Sequence, residues 1–248
     1  MEEGLSFLVV LGASFLAGVT NAVAGGGTLL TFPALMLVGV DPVSANVTNT
    51  VALWTGPMAG AWAFRRRLPE TKQLIPSMVL ISATGSIVGA LLLLYTPSSI
   101  FKKLVPFLIL FATLLLVLSG RFHLSERNKP VALLIQFLAA VYGAYFGAGL
   151  GIMVLATLSL LGVKDIHAAN SLKNMLGFLI NGIAAILFVL SGKVVWTFVL
   201  IMMLGFALGG YTGGMFSQRF RQDIVRRAVV IWGLFLSLFY FLDNFKGI

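Results

Sequence analysis

Cysteine is absent from the chain, which rules out disulfides and thiolate metal sites but leaves the cellular compartment open. Charge is nearly as scarce. Only 10% of the 248 residues are charged against 59% hydrophobic, and the mean hydropathy is +1.01. That is too little polar surface to coat a soluble globule, so lipid has to serve as solvent. The two histidines lie far apart, and the chain has no His-x-x-x-His, Gly-x-Ser-x-Gly or Walker-type Gly-Lys-Ser/Thr run. Enzymatic chemistry and ATP-driven pumping by this chain alone are therefore not expected, and neither is a metal or a cofactor.

What is present is a succession of apolar stretches. Stretches about as long as the roughly 20 residues needed to cross ~30 Å of hydrocarbon recur along the whole length, and short polar turns separate them with no room for a soluble domain. The 17 basic and eight acidic side chains give a net charge of +9. These charges sit in the loops, where Lys and Arg orient membrane segments, so a nucleic-acid partner is not expected. Ala22-Val23-Ala24 follows an apolar stretch in the manner of a signal-peptidase site. The acidic start Met1-Glu2-Glu3 argues against a leader, and the stretch is read as a first membrane segment.

The sequence matches itself at a shift of 124 residues. Gly25 and Gly27 fall on Gly149 and Gly151, Asp41 on Asp165, Ala45-Asn46 on Ala169-Asn170, and Lys102-Lys103 on Arg226-Arg227. The ordered set predicts a duplication, 1–124 and 125–248. Each half holds five apolar segments, about 5–23, 28–40, 45–64, 74–95 and 103–120, then 130–147, 152–163, 168–190, 194–216 and 228–243. Segments two and seven are short, ~18 to 20 Å as helix. With ten crossings the basic loops collect on one side, whereas eight crossings place Arg219, Arg221, Arg226 and Arg227 on the other and erase the asymmetry. The expected fold is therefore all-α: a polytopic helical membrane protein of two inverted repeats, about five transmembrane segments each, with glycine-broken short helices and both termini outside.

The breaks are Asn21-Ala22-Val23-Ala24-Gly25-Gly26-Gly27-Thr28 and Gly147-Ala148-Gly149-Leu150-Gly151. Consecutive glycines leave a helix start with free amides and the positive end of its dipole, which suits an anion. Inverted repeats with such breaks point to a transporter site near the midplane. The scattered Gly85, Gly89, Gly205, Gly209, Gly213 and Gly214 read instead as close helix packing. A second polar cluster is Asn46-Val47-Thr48-Asn49-Thr50, matched by Asn170-Ser171-Leu172-Lys173-Asn174. Spacings of three and four put these side chains on one helix face, toward a cavity. Lys173 is the one basic residue inside a segment; it pairs with a substrate anion, snorkels, or pairs with Asp165. Asp41, Asp165 and His167 lie between the short and long segments, as helix caps or as proton-coupling groups.

The stretches GVTNAVAGGGTLLTFPAL from Gly18, GVDPVSANVTNT from Gly39, GAYFGAGLG from Gly143 and GVKDIHAANSLKN from Gly162 resemble the sulfite exporter TauE/SafE family over essentially the whole chain. The resemblance implies gradient-driven export of a sulfur-containing anion, such as sulfite or an organosulfonate, across the cell inner membrane. The second copy departs from the first, with Leu150 for the middle glycine and Lys173 where Asn49 stands, so recognition is expected to be asymmetric. The expected substrate ligands are Asn21, Gly25, Gly26, Gly27, Thr28, Asn46, Asn49, Thr50, Gly149, Gly151, Asn170, Ser171, Lys173 and Asn174, in an alternating-access carrier whose alternative is an anion-selective channel. Lipid is the surrounding partner, protons are a candidate coupling ion, and the oligomeric state stays open, a homodimer included.

Overall fold

The computed structural model describes residues 3–23, 26–54, 72–118, 129–216 and 222–246. Among these the chain is helical with no strand. The elements are α1 (Glu3–Val23), α2 (Thr28–Leu37), α3 (Pro42–Leu53), α4 (Ile75–Tyr95), α5 (Ser98–Leu118), α6 (Lys129–Tyr145), α7 (Leu150–Leu160), α8 (Ile166–Leu190), α9 (Trp196–Phe216) and α10 (Gln222–Lys246). Six of them, α1, α4, α5, α8, α9 and α10, are long and apolar enough to cross a bilayer, while α2 and α7 have only 10 and 11 residues. Exposed Leu, Ile and Phe side chains such as Leu8, Leu200, Leu204, Ile231 and Phe235 form the outer surface. In lipid that exposure costs nothing, and the chain is an integral, multi-pass membrane protein.

Several helices start earlier than hydropathy alone suggests. α3 begins at Pro42 because Asp41 caps it: Oδ2 accepts from the amides of Val43 at 3.1 Å and Ser44 at 3.3 Å, and proline fits the first turn. α5 begins at Ser98, before Lys102-Lys103, because a helix runs on into the polar interface where its side chains need not be apolar. The third apolar segment, read to residue 64, is described only as far as Trp54.

Small residues set the close pairs. A Cβ on Gly205 would strike Leu11 and Ser14, one on Gly209 the backbone of Phe15, and one on Gly213 that of Val19. Numbers rise together, so α1 and α9 are parallel. Gly85 against Phe137 and Ala140, and Gly89 against Val141, make α4 and α6 parallel in the same way. Small residues let helix backbones approach where lipid removes the hydrophobic drive for association.

Longer contacts give the remaining directions. Val195 N donates to Thr48 Oγ1 at 3.0 Å, Lys193 Nζ to Leu94 O at 3.1 Å, and Ser98 Oγ to Asp41 Oδ2 at 2.8 Å. These bring the starts of α3, α5 and α9 to one end of the bundle, together with the ends of α4 and α8. α5 and α10 are antiparallel: Arg226 donates to Leu116 O and Val117 O, Ser237 to Pro106 O, and Lys102 pairs with Asp243 at 3.1 Å. α1 and α3 both run with α9, so short α2 turns back between them. α6 and α8 both run with α4, so α7 does the same.

Candidate functional site

Each long helix that precedes a short one ends in a glycine turn. Gly26 has φ +87°, and Gly147 and Gly149 have φ +87° and +82°, left-handed values that an L side chain rarely adopts. The two breaks come to neighbouring places on one helix. Gly26 packs on Leu116 of α5 and Val229 of α10, and Gly149 on Ala112 and Leu115 of α5.

The first break is partly capped by its own chain. Asn21 Oδ1 accepts from Gly27 N at 2.8 Å, so this amide already has a partner. Gly27 O accepts from Leu30 N and Thr31 N, and Gly26 O from Leu29 N. Thr31 Oγ1 donates to Asn49 Oδ1 and lies 3.3 Å from Gly27 O, tying α3 to the start of α2. Asn49 and Thr50 are buried, Thr28 is half-buried and Asn21 exposed. Gly25 lies outside the described residues.

The second break is open. Leu150, Ile152 and Met153 donate to Gly147 O and Gly149 O. The amides of Ala148, Gly149 and Gly151 have no acceptor among the described residues. Lys173 lies alongside: its Cδ is 3.4 Å from where a Cβ on Gly151 would stand. The lysine stem thus passes over the first turn of α7, at a distance where a Cβ at 151 would be in ordinary van der Waals contact with it. No described carboxylate pairs with the ammonium, since Glu3, Asp41, Asp165 and Asp243 are exposed at helix ends. Asn170 and Asn174, half-buried, share the Lys173 face of α8, and Ser171 is fully buried beside it. Amides unpaired among the described residues, a helix N-terminus and a lysine together make a cluster of donors suited to an oxyanion.

The halves are cross-linked here. Asn46, fully buried on α3, donates from Nδ2 to the Tyr145 carbonyl at 2.8 Å, at the end of α6 just before the second break. Thr50 Oγ1 donates to Asn46 O at 3.0 Å. Asp41 and Asp165 stand at the surface as N-caps, with Asp165 Oδ1 accepting from Ala168 N at 2.8 Å. His167 belongs to the first turn of α8, and its side chain lies outside the described residues.

Three participants escape the sequence reading. Thr31 carried a signal, as a lone polar residue four after Gly27 in an apolar helix. The Tyr145 carbonyl carried none. Trp54 also carried none: its ring stacks on Phe178 with centroids 5.4 Å apart at 17°, and its Nε1 donates to Phe178 O at 3.1 Å.

A lipid-facing bundle whose helices break around interior polar groups has the build of a membrane transporter. The chain belongs to the sulfite exporter TauE/SafE family, whose model matches residues 10–240. It is 31% identical over 244 residues to a "Probable membrane transporter protein" of Haemophilus influenzae, covering 96% of this chain and 95% of that one. It is 28% identical to "Probable membrane transporter protein YfcA" of Escherichia coli K12, covering 98% and 93%, and 30% identical to "Probable membrane transporter protein ORF9" of a Sinorhizobium species, covering 94% and 91%. No solved structure matches it.

Proposed function

We propose that the protein is a secondary transporter of the cell inner membrane that exports a small sulfur oxyanion, sulfite or an organosulfonate, held at the start of α7. The observation that carries this reading is Lys173 lying over Gly151 beside the amides of Ala148, Gly149 and Gly151, which are unpaired among the described residues. An oxyanion offers several acceptors at once and would satisfy these donors together, which a single water does not. The family description supplies the sulfur chemistry.

In the same proposal residues 1–124 and 125–248 are inverted repeats that rock about this site. Several contacts support that relation. Trp54 stacks on Phe178, 124 residues away, which is the repeat shift itself. Lys102 and Arg226, equivalent under the shift, each engage the other's helix, and those helices are antiparallel. α1 on α9 exchanges with α6 on α4. The site is asymmetric because Asn49, the counterpart of Lys173, is held by Thr31, and Gly27, the counterpart of Gly151, is capped by Asn21.

Labelled sulfite uptake into proteoliposomes of the purified protein tests the reading. Uptake is expected to saturate with concentration. Uptake that stays linear, with unitary conductance in a planar bilayer, would replace the carrier by a channel with a fixed filter. Folded protein that moves no sulfur oxyanion would remove the substrate class.

A further inference from the structure

The second break has two ends of opposite character, and the anion site uses only one. On the α7 side the orphan groups are donors. On the α6 side they are acceptors. Asn46 is wholly buried, and its Nδ2 is committed to the Tyr145 carbonyl, which fixes the orientation of the carboxamide and leaves Oδ1 with no partner among the described residues. A carbonyl cannot accept from Oδ1, so rotating the amide does not remove the deficit.

The main chain around it has the same shortage. The amides of Phe146 and Gly147 both go to Tyr142 O, so the last turn of α6 leaves the carbonyls of Gly143 and Ala144 without a donor among the described residues. Phe146 O and Ala148 O, inside the turn, also receive none, and all four of these residues are buried. The Gly143 carbonyl oxygen is 3.4 Å from the point a Cβ on Gly147 would occupy, so that glycine keeps the space in front of it clear. Helix-end carbonyls point along the axis out of the last turn, which is where Asn46 meets Tyr145 O. Buried acceptors in a membrane interior demand a donor or a cation.

We propose that this end of the break binds a sodium ion, coordinated by Asn46 Oδ1 and free carbonyls of the Gly143–Ala148 stretch. Its ligands are all neutral oxygens. Divalent cations draw carboxylates, and every described carboxylate is at a helix end. A proton needs a titratable acceptor, which amides and carbonyls are not. A monovalent ion stripped of water is held by such oxygens, and the negative end of the α6 dipole favours it. The cation would lie on one side of the 146–149 turn and the oxyanion on the other, so each lowers the electrostatic cost of the other. That coupling rests on the anion site proposed above, whereas the cation site stands on the acceptors alone.

Binding of 22Na+ to purified protein by scintillation proximity, in choline chloride and without sulfite, tests the site independently of the anion. The wild type is expected to bind saturably, Asn46→Ala to lose that binding, and Asn46→Asp, which keeps an oxygen in place and adds charge, to bind more tightly. Lys173→Ala is expected to bind sodium while losing sulfite, which separates the two proposals. Sulfite should bind the wild type roughly tenfold more tightly in NaCl than in choline chloride. A wild type with no saturable 22Na+ binding, or an Asn46→Ala protein that binds like wild type, overturns the site. If Asn46→Ala does not fold, sodium binding by Asn46→Asp that is lost or unchanged overturns it equally.

Discussion

Lys173→Ala is expected to abolish saturable sulfite transport while the protein stays folded. Charge-assisted hydrogen bonds to a buried anion are worth about 1.5–3 kcal/mol, so removing the ammonium should weaken sulfite binding by roughly 10- to 150-fold. The stability of the empty protein should move the other way. Lys173 has no carboxylate partner among the described residues, and an uncompensated ammonium in a membrane interior is costly. The variant should therefore melt at or above the wild-type temperature when sulfite is absent, and lose the shift that sulfite confers on the wild type. Lys173→Asn, which installs the residue found at the equivalent position 49, should fail to transport as well. Flux close to wild type in either variant, with fold verified, would remove Lys173 from the site.

Gly209→Val is expected to prevent stable assembly, whereas Gly210→Val should be nearly silent. The two positions are adjacent on α9 and differ only in what they face. A Cβ on Gly209 overlaps the Phe15 backbone of α1, which cannot move aside as a flexible side-chain tip could; a Cβ on Gly210 would meet nothing within 4 Å. Forcing α1 and α9 apart should cost about 3 kcal/mol or more, at the upper end of overpacking. At position 210 the new side chain meets lipid, and replacing a helix glycine is mildly favourable. Size-exclusion profiles and melting temperatures in detergent check both. Equal behaviour of the two variants would mean that the α1–α9 contact does not hold the bundle together.

The parts of this architecture visible in the sequence are those with local causes. Left-handed glycines mark Gly26, Gly147 and Gly149, Asp41-Pro42 marks the start of α3, and hydropathy with length separates the short α2 and α7 from the spanning helices. The Asn and Thr cluster of α3 is buried, as a polar face in a membrane helix should be. What could not be read is partnership across the bundle. Asn21 and Gly27 are six residues apart but meet only because the chain folds back between them, and Asn46 meets Tyr145 across 99 residues. In soluble proteins an apolar stripe announces which face packs inward. Helices such as α4 and α9 are largely apolar all round, because lipid accepts the outer face as readily as neighbours accept the inner one, and small residues, glycine with Ser82 and Ser86 on α4, mark the packed side. Free amides were foreseeable at both breaks, but that of Gly27 is claimed by the Asn21 side chain, whereas its counterpart at Gly151 has no acceptor among the described residues.

The most direct measurement is counterflow. Proteoliposomes loaded with unlabelled sulfite are diluted into medium containing a trace of labelled sulfite, and internal label is followed with time. A carrier whose single site faces each side in turn should accumulate label transiently above its external concentration, and the Lys173→Ala protein should not. Label that only equilibrates, with no overshoot and no dependence on internal sulfite, would contradict an alternating site at the start of α7.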